Sequence, residues 1–275
     1  MSGKLYLVGT PIGNLGDLSQ RAIDTFMIVD FIAAEDTRVT LKLLNHFGIR
    51  KPLVSYFEHN KYASGAKIFD RIAAGESCAL VTDAGMPAIS DPGEDIVRLC
   101  AENGVEVLTV PGPSALISAV ALSALPTGRF CFEGFLSTSN KSRREHLDSL
   151  RTERRTMIFY EAPHKLLRTL ADMRDTFGAE RKISLCRELT KLHEETRRTT
   201  LGEAYEHYAA EPPKGEFVLV IEGAPEPERS FTLSDALALA EKYRGEGLSR
   251  KAACKKAAAE TGFSANELYD AGLEG

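Results

Sequence analysis

Short apolar runs alternate along the chain with stretches in which apolar residues recur every three or four positions. The runs KLYLVGT, DFIAAED, PLVSYF, SCALVTD and VEVLTV have strand character. Between them lie the helical patterns LSQRAIDTFMIV, VTLKLLNHFGI, GAKIFDRIAAG, GEDIVRLCAENG and SALISAVALSAL. Strand and helix in strict alternation predict parallel strands with crossover helices, so residues 1–125 read as one α/β domain. LPTGRF makes a linker. Over residues 126–224 the strand runs RFCFEGFL, RRTMIFYEA, RKISLCREL and GEFVLVIEG stand closer together, with RREHLDSL, HKLLRTLADMRDTFG and EETRRTTLGEAYEHYA between them. Fewer crossovers predict a mixed sheet in a second α/β domain. APEPERS, Ala224 to Ser230, is a Pro- and Glu-rich linker, beyond which residues 231–275 carry only helical patterns and form a small helical extension.

In that extension Ser249 is placed to cap RKAACKKAAAE, Ser264 with Glu267 forms a capping box opening ANELYDAGL, and Gly262 marks the turn between them. Residues 242–256 hold six basic side chains and one acidic, whereas residues 257–275 hold four acidic and no basic. A DNA-reading last helix of that sign would repel phosphate. RNA binding by the middle helix and a capping domain with one solvated basic face both remain open.

At 275 residues and 43% hydrophobic content the chain can build two cores, and its net charge of −5 excludes no partner, because a local basic surface can coexist with an acidic total. Five cysteines without a C-x-x-C pair suit reduced core thiols. The N-terminus lacks a leader's apolar segment and no run approaches the ~18 apolar residues of a membrane span, so a cytoplasmic protein is expected. His164, the histidine best placed by motif, reads as capping or packing at a helix start rather than transferring protons; His59 and His193 have no partners at metal-ligand spacing, and no metal is expected.

Three loops stand out: GTPIGNLGDLS, VTDAGMPAISDPG and VPGPSA, each after a predicted strand. The first is G-x-x-x-G-x-x-G, which is wrong for a dinucleotide fingerprint, and its helix starts only near Ser19; there is no G-K-[ST] either. In a parallel sheet the carboxyl ends of all strands face one side, so the three loops converge on one crevice. They offer backbone groups, Asp83, Ser90, Asp91 and Ser114, without a lysine or arginine. A polyanion is normally cradled by cations, so the expected ligand is neutral or cationic at its core.

Those loops, with AAEDTRVTLKLLNHFGI, FCFEGFL, FYEAPHKLL, LCRELTKLHEE and GEFVLVIEG, resemble the tetrapyrrole-methylase superfamily in order over roughly residues 4 to 224. Within it they resemble the branch of 16S rRNA cytidine 2'-O-methyltransferases, and the tail is similar to that branch's helical extension. The resemblance implies an α/β fold of two domains with S-adenosylmethionine in a cleft between them, and a homodimer acting on 16S rRNA of the small ribosomal subunit. It assigns cofactor contacts to Thr10 and Pro11, to Gly85, Met86, Pro87, Ala88 and Ile89, to Ser114 and Ala115, and to Tyr160, Glu161 and Ala162. Met86 stands where the superfamily's Gly-Asp-Pro aspartate would fall, which makes Asp83 the alternative polar contact.

Transfer to a ribose hydroxyl needs in-line placement first, then a carboxylate for the proton and an arginine for the neighbouring phosphate. Glu35, Asp36 and Arg38 in the first domain, and Arg187 and Glu188 with Lys191 in the second, are the candidates. A salt-bridged strand end explains each set as well. Residues 141–155 carry six basic side chains against three acidic, a candidate phosphate track with Arg197, Arg198 and the tail. The rival functions are C-methylation of a tetrapyrrole, methylation of a protein, and a non-catalytic RNA-binding assembly factor. A nicotinamide dehydrogenase is more distant.

Overall fold

A computed structural model describes residues 3–226 and 231–271 of the chain. The chain divides into two compact units, Met1–Ala224 and Pro225–Gly275.

The first unit begins with β1 (Lys4–Val8), α1 (Gln20–Ile28), β2 (Phe31–Ala34), α2 (Thr37–His46), β3 (Leu53–Ser55), α3 (Lys61–Ala73), β4 (Cys78–Val81), α4 (Glu94–Glu102), β5 (Glu106–Val110) and α5 (Ala115–Leu122). The five strands form one sheet in the order β3-β2-β4-β1-β5, parallel throughout. Every residue of β2 and β4 is buried, because helices cover both faces, and this is why those strands read as unbroken apolar runs. Val8, Phe26, Ile32 and Leu44 pack on one face, and Leu5, Phe31, Ile68 and Ile96 on the other.

The same unit continues with β6 (Phe130–Phe135), α6 (Asn140–Ser149), β7 (Thr156–Glu161), α7 (Pro163–Phe177), β8 (Lys182–Arg187), β9 (Glu195–Thr200), α8 (Leu201–Ala210) and β10 (Phe217–Ile221). Their order is β6-β7-β10-β8-β9, with β6 and β7 parallel and the other pairs antiparallel, the expected mixed sheet. EETRRTTLGEAYEHYA, a single stretch by its pattern, is two elements. Thr200 ends β9 and opens α8 through a capping box with Glu203. The apolar helix α5 follows the first sheet in sequence, yet Ala119 and Val120 pack with Ile158, Val218 and Val220 of the second.

The second unit is a set of three helices: α9 (Leu233–Gly245), α10 (Arg250–Thr261) and α11 (Ala265–Ala271). Ala236, Ala240, Ala253, Ala257 and Leu268 form its core. The Ser249 hydroxyl caps α10, Gly262 ends it in the left-handed region at φ 77°, and the Ser264 hydroxyl accepts from the Glu267 N–H at 3.4 Å, as the sequence predicts. Of the APEPERS linker, residues 227–230 lie outside the described residues, as do residues 272 and 273 of the last helical pattern.

Candidate active site

The loops after β1, β4 and β5 meet because β1 lies between β4 and β5 in the sheet. Thr10 and Gly85 exchange both backbone hydrogen bonds, at 2.9 and 3.1 Å, and the buried Thr10 hydroxyl donates to the Thr82 carbonyl at 3.1 Å. A Cβ at Gly9 would lie 2.6 Å from Cα of Gly112 and 2.7 Å from the Met86 sulfur, so the first and third loops touch through backbone alone. Ala88 and Ser90 have φ of 67° and 63°, a left-handed conformation unusual for residues with a side chain. The loop from Val81 to Gly93 thus carries two side-chain-bearing residues in a backbone conformation that costs energy.

These loops form one side of a cavity of about 860 Å³. The second sheet forms the other. Register places Phe135 of β6 beside Tyr160 of β7, Tyr160 beside Val218 of β10, and Val218 beside Cys186 of β8. All four line the cavity, and the Tyr160 ring is packed by Phe132 and Phe135 at centroid distances of 5.0 and 5.4 Å. One row of side chains across four strands thus makes an apolar wall.

The opposite end is acidic. Glu35, at the end of β2, accepts from the Thr82 hydroxyl at 2.6 Å and from the Asp83 N–H at 3.3 Å, while Asp83 accepts from the Asp36 N–H at 3.1 Å. Glu35, Asp83 and Asp91 all line the cavity. Burial, and then the neighbouring Glu35 charge, push the Asp91 carboxyl up to about 6; the same two causes raise Asp83. Lys191 is the lining cation, and it is held between Glu188 and Glu216 at 2.9 Å each. Among the described residues, no cluster of three or more His, Cys, Asp or Glu is placed to hold a metal ion, and no helix is long and apolar enough to cross a membrane.

Of the residues assigned to a cofactor from sequence, Asp83, Gly85, Met86, Ile89, Ser114, Ala115, Tyr160, Glu161 and Ala162 line this cavity. Thr10 braces the Gly85 turn from behind, and Pro11, Pro87 and Ala88 stand outside the lining. Ser114 caps α5 through the Ile117 N–H, and the Glu161 carboxylate, buried, accepts from Thr169 at 2.6 Å and anchors the start of α7. Of the residues assigned to catalysis, only Glu35 lines the cavity. Asp36 caps α2 and pairs with the exposed Arg38 at 2.6 Å, which draws the Asp36 carboxyl down to about 2. Arg187 is paired with Glu195 at 2.9 Å, and Glu188 accepts from the Glu216 N–H and from Lys191. Sequence reasoning misses Thr82 and the wall residues Phe135, Cys186 and Val218. Thr82 belongs to a quoted motif without being singled out there, while the wall emerges only from strand register.

The residues fit a compact ligand carrying positive charge and an apolar body. A cavity of this size is in the range for a small molecule, its polar end is carboxylate and backbone, and its one lining cation among the described residues is already neutralised.

The sequence profile of the tetrapyrrole (corrin/porphyrin) methylases matches residues 4–205. A protein of Synechocystis sp. called ribosomal RNA small subunit methyltransferase I is 48% identical over 273 residues, 99% of this chain and 98% of its own length. Its namesake in Thermotoga maritima is 48% identical over 221 residues, 80% of this chain and 99% of its own, so about a fifth of this chain has no counterpart there. Among solved structures, uroporphyrin-III C-methyltransferase from Thermus thermophilus in complex with S-adenosylhomocysteine superposes with a TM-score of 0.53 at 17% identity, over 79% of this chain and 97% of that one. That last likeness concerns the fold.

Proposed function

We propose, because the chain belongs to the tetrapyrrole methylase family and within it to the ribosomal RNA small subunit methyltransferase I group, that it methylates the ribose 2'-oxygen of a cytidine in 16S rRNA. S-adenosylmethionine is the donor in this reading, and it supplies an electrophilic methyl group on a sulfonium. The observation that carries the reading is the pairing of a carboxylate end with an apolar wall in one cavity whose only lysine, among the described residues, is neutralised. Such a site favours a sulfonium ligand and disfavours a nucleotide polyphosphate.

The chain's own residues then have distinct tasks. The Thr10–Gly85 bridge and the Gly9–Gly112 contact hold the loops at a fixed separation, which is what in-line placement needs. The Phe135–Tyr160–Val218–Cys186 row excludes water and keeps the acceptor hydroxyl desolvated. Asp91, with its carboxyl pushed up to about 6, is matched to receive the 2'-hydroxyl proton near neutral pH, and Glu35 and Asp83 keep that end negative. Arg38, with its side chain 87% exposed beside this end, suits a phosphate next to the target ribose. In this reading Arg187 and Glu188 support the second half through their ion pairs.

The partner is an assembled small ribosomal subunit, the active form is a homodimer, and the compartment is the cytoplasm. The family resemblance supports all three. Light scattering that gives a monomer removes the dimer.

The test is transfer of labelled methyl from S-adenosylmethionine to small subunits lacking modification, followed by nucleoside analysis. Label in 2'-O-methylcytidine is the expected result. Label elsewhere, or none with cofactor binding intact, overturns the substrate.

A further inference from the structure

A second cavity, of about 770 Å³, opens at the other end of the second sheet. Arg129, Arg154 and Arg155 line it together with Glu153 and the hydroxyl residues Ser149 and Thr152. Arg129 immediately precedes β6, whose last residue Phe135 lines the main cavity. Six residues of strand at ~3.3 Å each separate the two sites by about 20 Å. Thr156 and Tyr160 repeat the relation on β7, one at each cavity.

The cations of this region divide into two groups. On α6, Arg143 and Arg144 both bind Asp172, and Lys141 faces Glu145 at 3.8 Å. Just beyond it, Arg151 meets Asp148 at 2.7 Å. The phosphate track expected over residues 141–155 is therefore largely committed to internal ion pairs. Arg129, in the cavity, differs. Within the described residues no hydrogen bond or ion pair engages the Arg129 side chain, which is exposed. Arg155 is held by Glu153 through two bonds, at 2.9 and 2.7 Å, which fixes its fork while other N–H groups point elsewhere. The unengaged Arg129 guanidinium, the remaining N–H groups of Arg155 and the Thr152 hydroxyl offer donors to the oxygens of phosphodiesters.

We propose that this cavity is an anchoring site for the RNA backbone, which grips phosphodiester groups several nucleotides away from the ribose in the main cavity. The inference rests on the RNA reading of the function and adds to it where the rest of the substrate is held. Contacts of this kind fix register and orientation and carry no sequence information. The site therefore acts on binding of a long substrate rather than on the chemical step.

The test compares wild type with Arg129→Ala/Arg155→Ala and Arg129→Lys in methyl transfer to small ribosomal subunits at several salt concentrations. S-adenosylmethionine affinity by calorimetry serves as the check that each variant is folded. For the double variant, KM is expected to rise about 10-fold or more with kcat within about twofold. The slope of log kcat/KM against log salt is expected to become shallower by about two, one for each cation removed. Arg129→Lys keeps the charge and should recover most of the slope. An unchanged KM and slope in the double variant overturns the anchor while leaving the reaction standing. If the wild type labels no RNA at all, the functional reading has failed, and the anchor is then judged by fluorescence anisotropy of a labelled RNA oligonucleotide, where the double variant must bind more weakly. Tripolyphosphate raises the melting temperature of the wild type and not of the variant if the cavity takes a small polyphosphate; that result, with RNA affinity equal in both, also overturns the proposal.

Discussion

The Thr82 hydroxyl donates to the Glu35 carboxylate at 2.6 Å, which ties the end of β4 to the end of β2 at the acidic side of the cavity. Thr82 is buried, so the bond is largely shielded from solvent. Thr82→Val keeps the shape and removes the donor, and a hydrogen bond to a charged group is worth about 1.5–3 kcal/mol. Urea denaturation should show a loss of that size, with methyl transfer reduced as Glu35 loses its fixed position.

Asp91 titrates where the reaction would use it. Its carboxyl is raised in the folded chain to about 6, so the folded state binds the proton more tightly than the unfolded one. The stability this gives is fully present below the ordinary carboxylate value of about 3.9 and is lost as pH rises through about 6. Asp91→Asn should therefore melt higher than wild type at pH 7.5 without cofactor, with the advantage vanishing near pH 4. Its transfer rate should fall steeply. In wild type, kcat/KM should decline about tenfold per pH unit below 6, and a flat profile there would remove Asp91 as the proton acceptor.

Gly112 has no room for a side chain. A Cβ there would lie 2.7 Å from Cα of Gly9, backbone against backbone, where nothing can swing aside. Gly112→Ala should cost about 1–3 kcal/mol in denaturation as an overpacked contact, and should weaken S-adenosylmethionine binding in calorimetry. Gly245→Ala, which meets open space at the end of α9, is the control: it should leave cofactor binding within error and lose no stability, since alanine is the better helix former.

Arg143 and Asp172 are an ion pair at 2.6 Å with 2% and 6% side-chain exposure. Burial alone would raise Asp172, yet Arg143 and Arg144 outweigh it and hold its carboxyl below the usual range. The pair therefore gives stability above the ordinary carboxylate value and loses it as pH falls further. Arg143→Met leaves Asp172 to Arg144 alone, and loss of the buried charged bond should cost about 1.5–3 kcal/mol at pH 7, with the gap from wild type narrowing in acid denaturation below about pH 4.

How much the sequence discloses follows from where each signal is written. Ile32 to Ala34 and Cys78 to Val81 announce a doubly covered parallel strand within four residues, and Ser249, Ser264 and Gly262 announce helix ends locally. β9 is hidden because Glu195 to Thr200 is an edge strand without apolar alternation, so it merges with the helix after it. The glycines and prolines of the three loops mark one side of the cavity. The other side is invisible in the sequence, since Phe135, Tyr160, Cys186 and Val218 become neighbours only through pairing across four strands. Arg143 reads as a solvated surface charge because its partner lies 29 residues away on α7.

The order of strands in the first sheet also sets a schedule for making the molecule. β1 is synthesised first, yet it pairs with β4, where Leu5 meets Cys78, and with β5, where Lys4 meets Glu106. It therefore leaves the ribosome with no partner available. Pairings so distant along the chain are slow to form, and an unpaired apolar strand is exposed to aggregation meanwhile. Closure of the sheet waits for β5, and the Gly9–Gly112 contact is among the last to be made. Completion of this half is thus governed by translation of its last strand rather than its first, and a chain truncated before Val110 would leave one edge of β1 without its full partner.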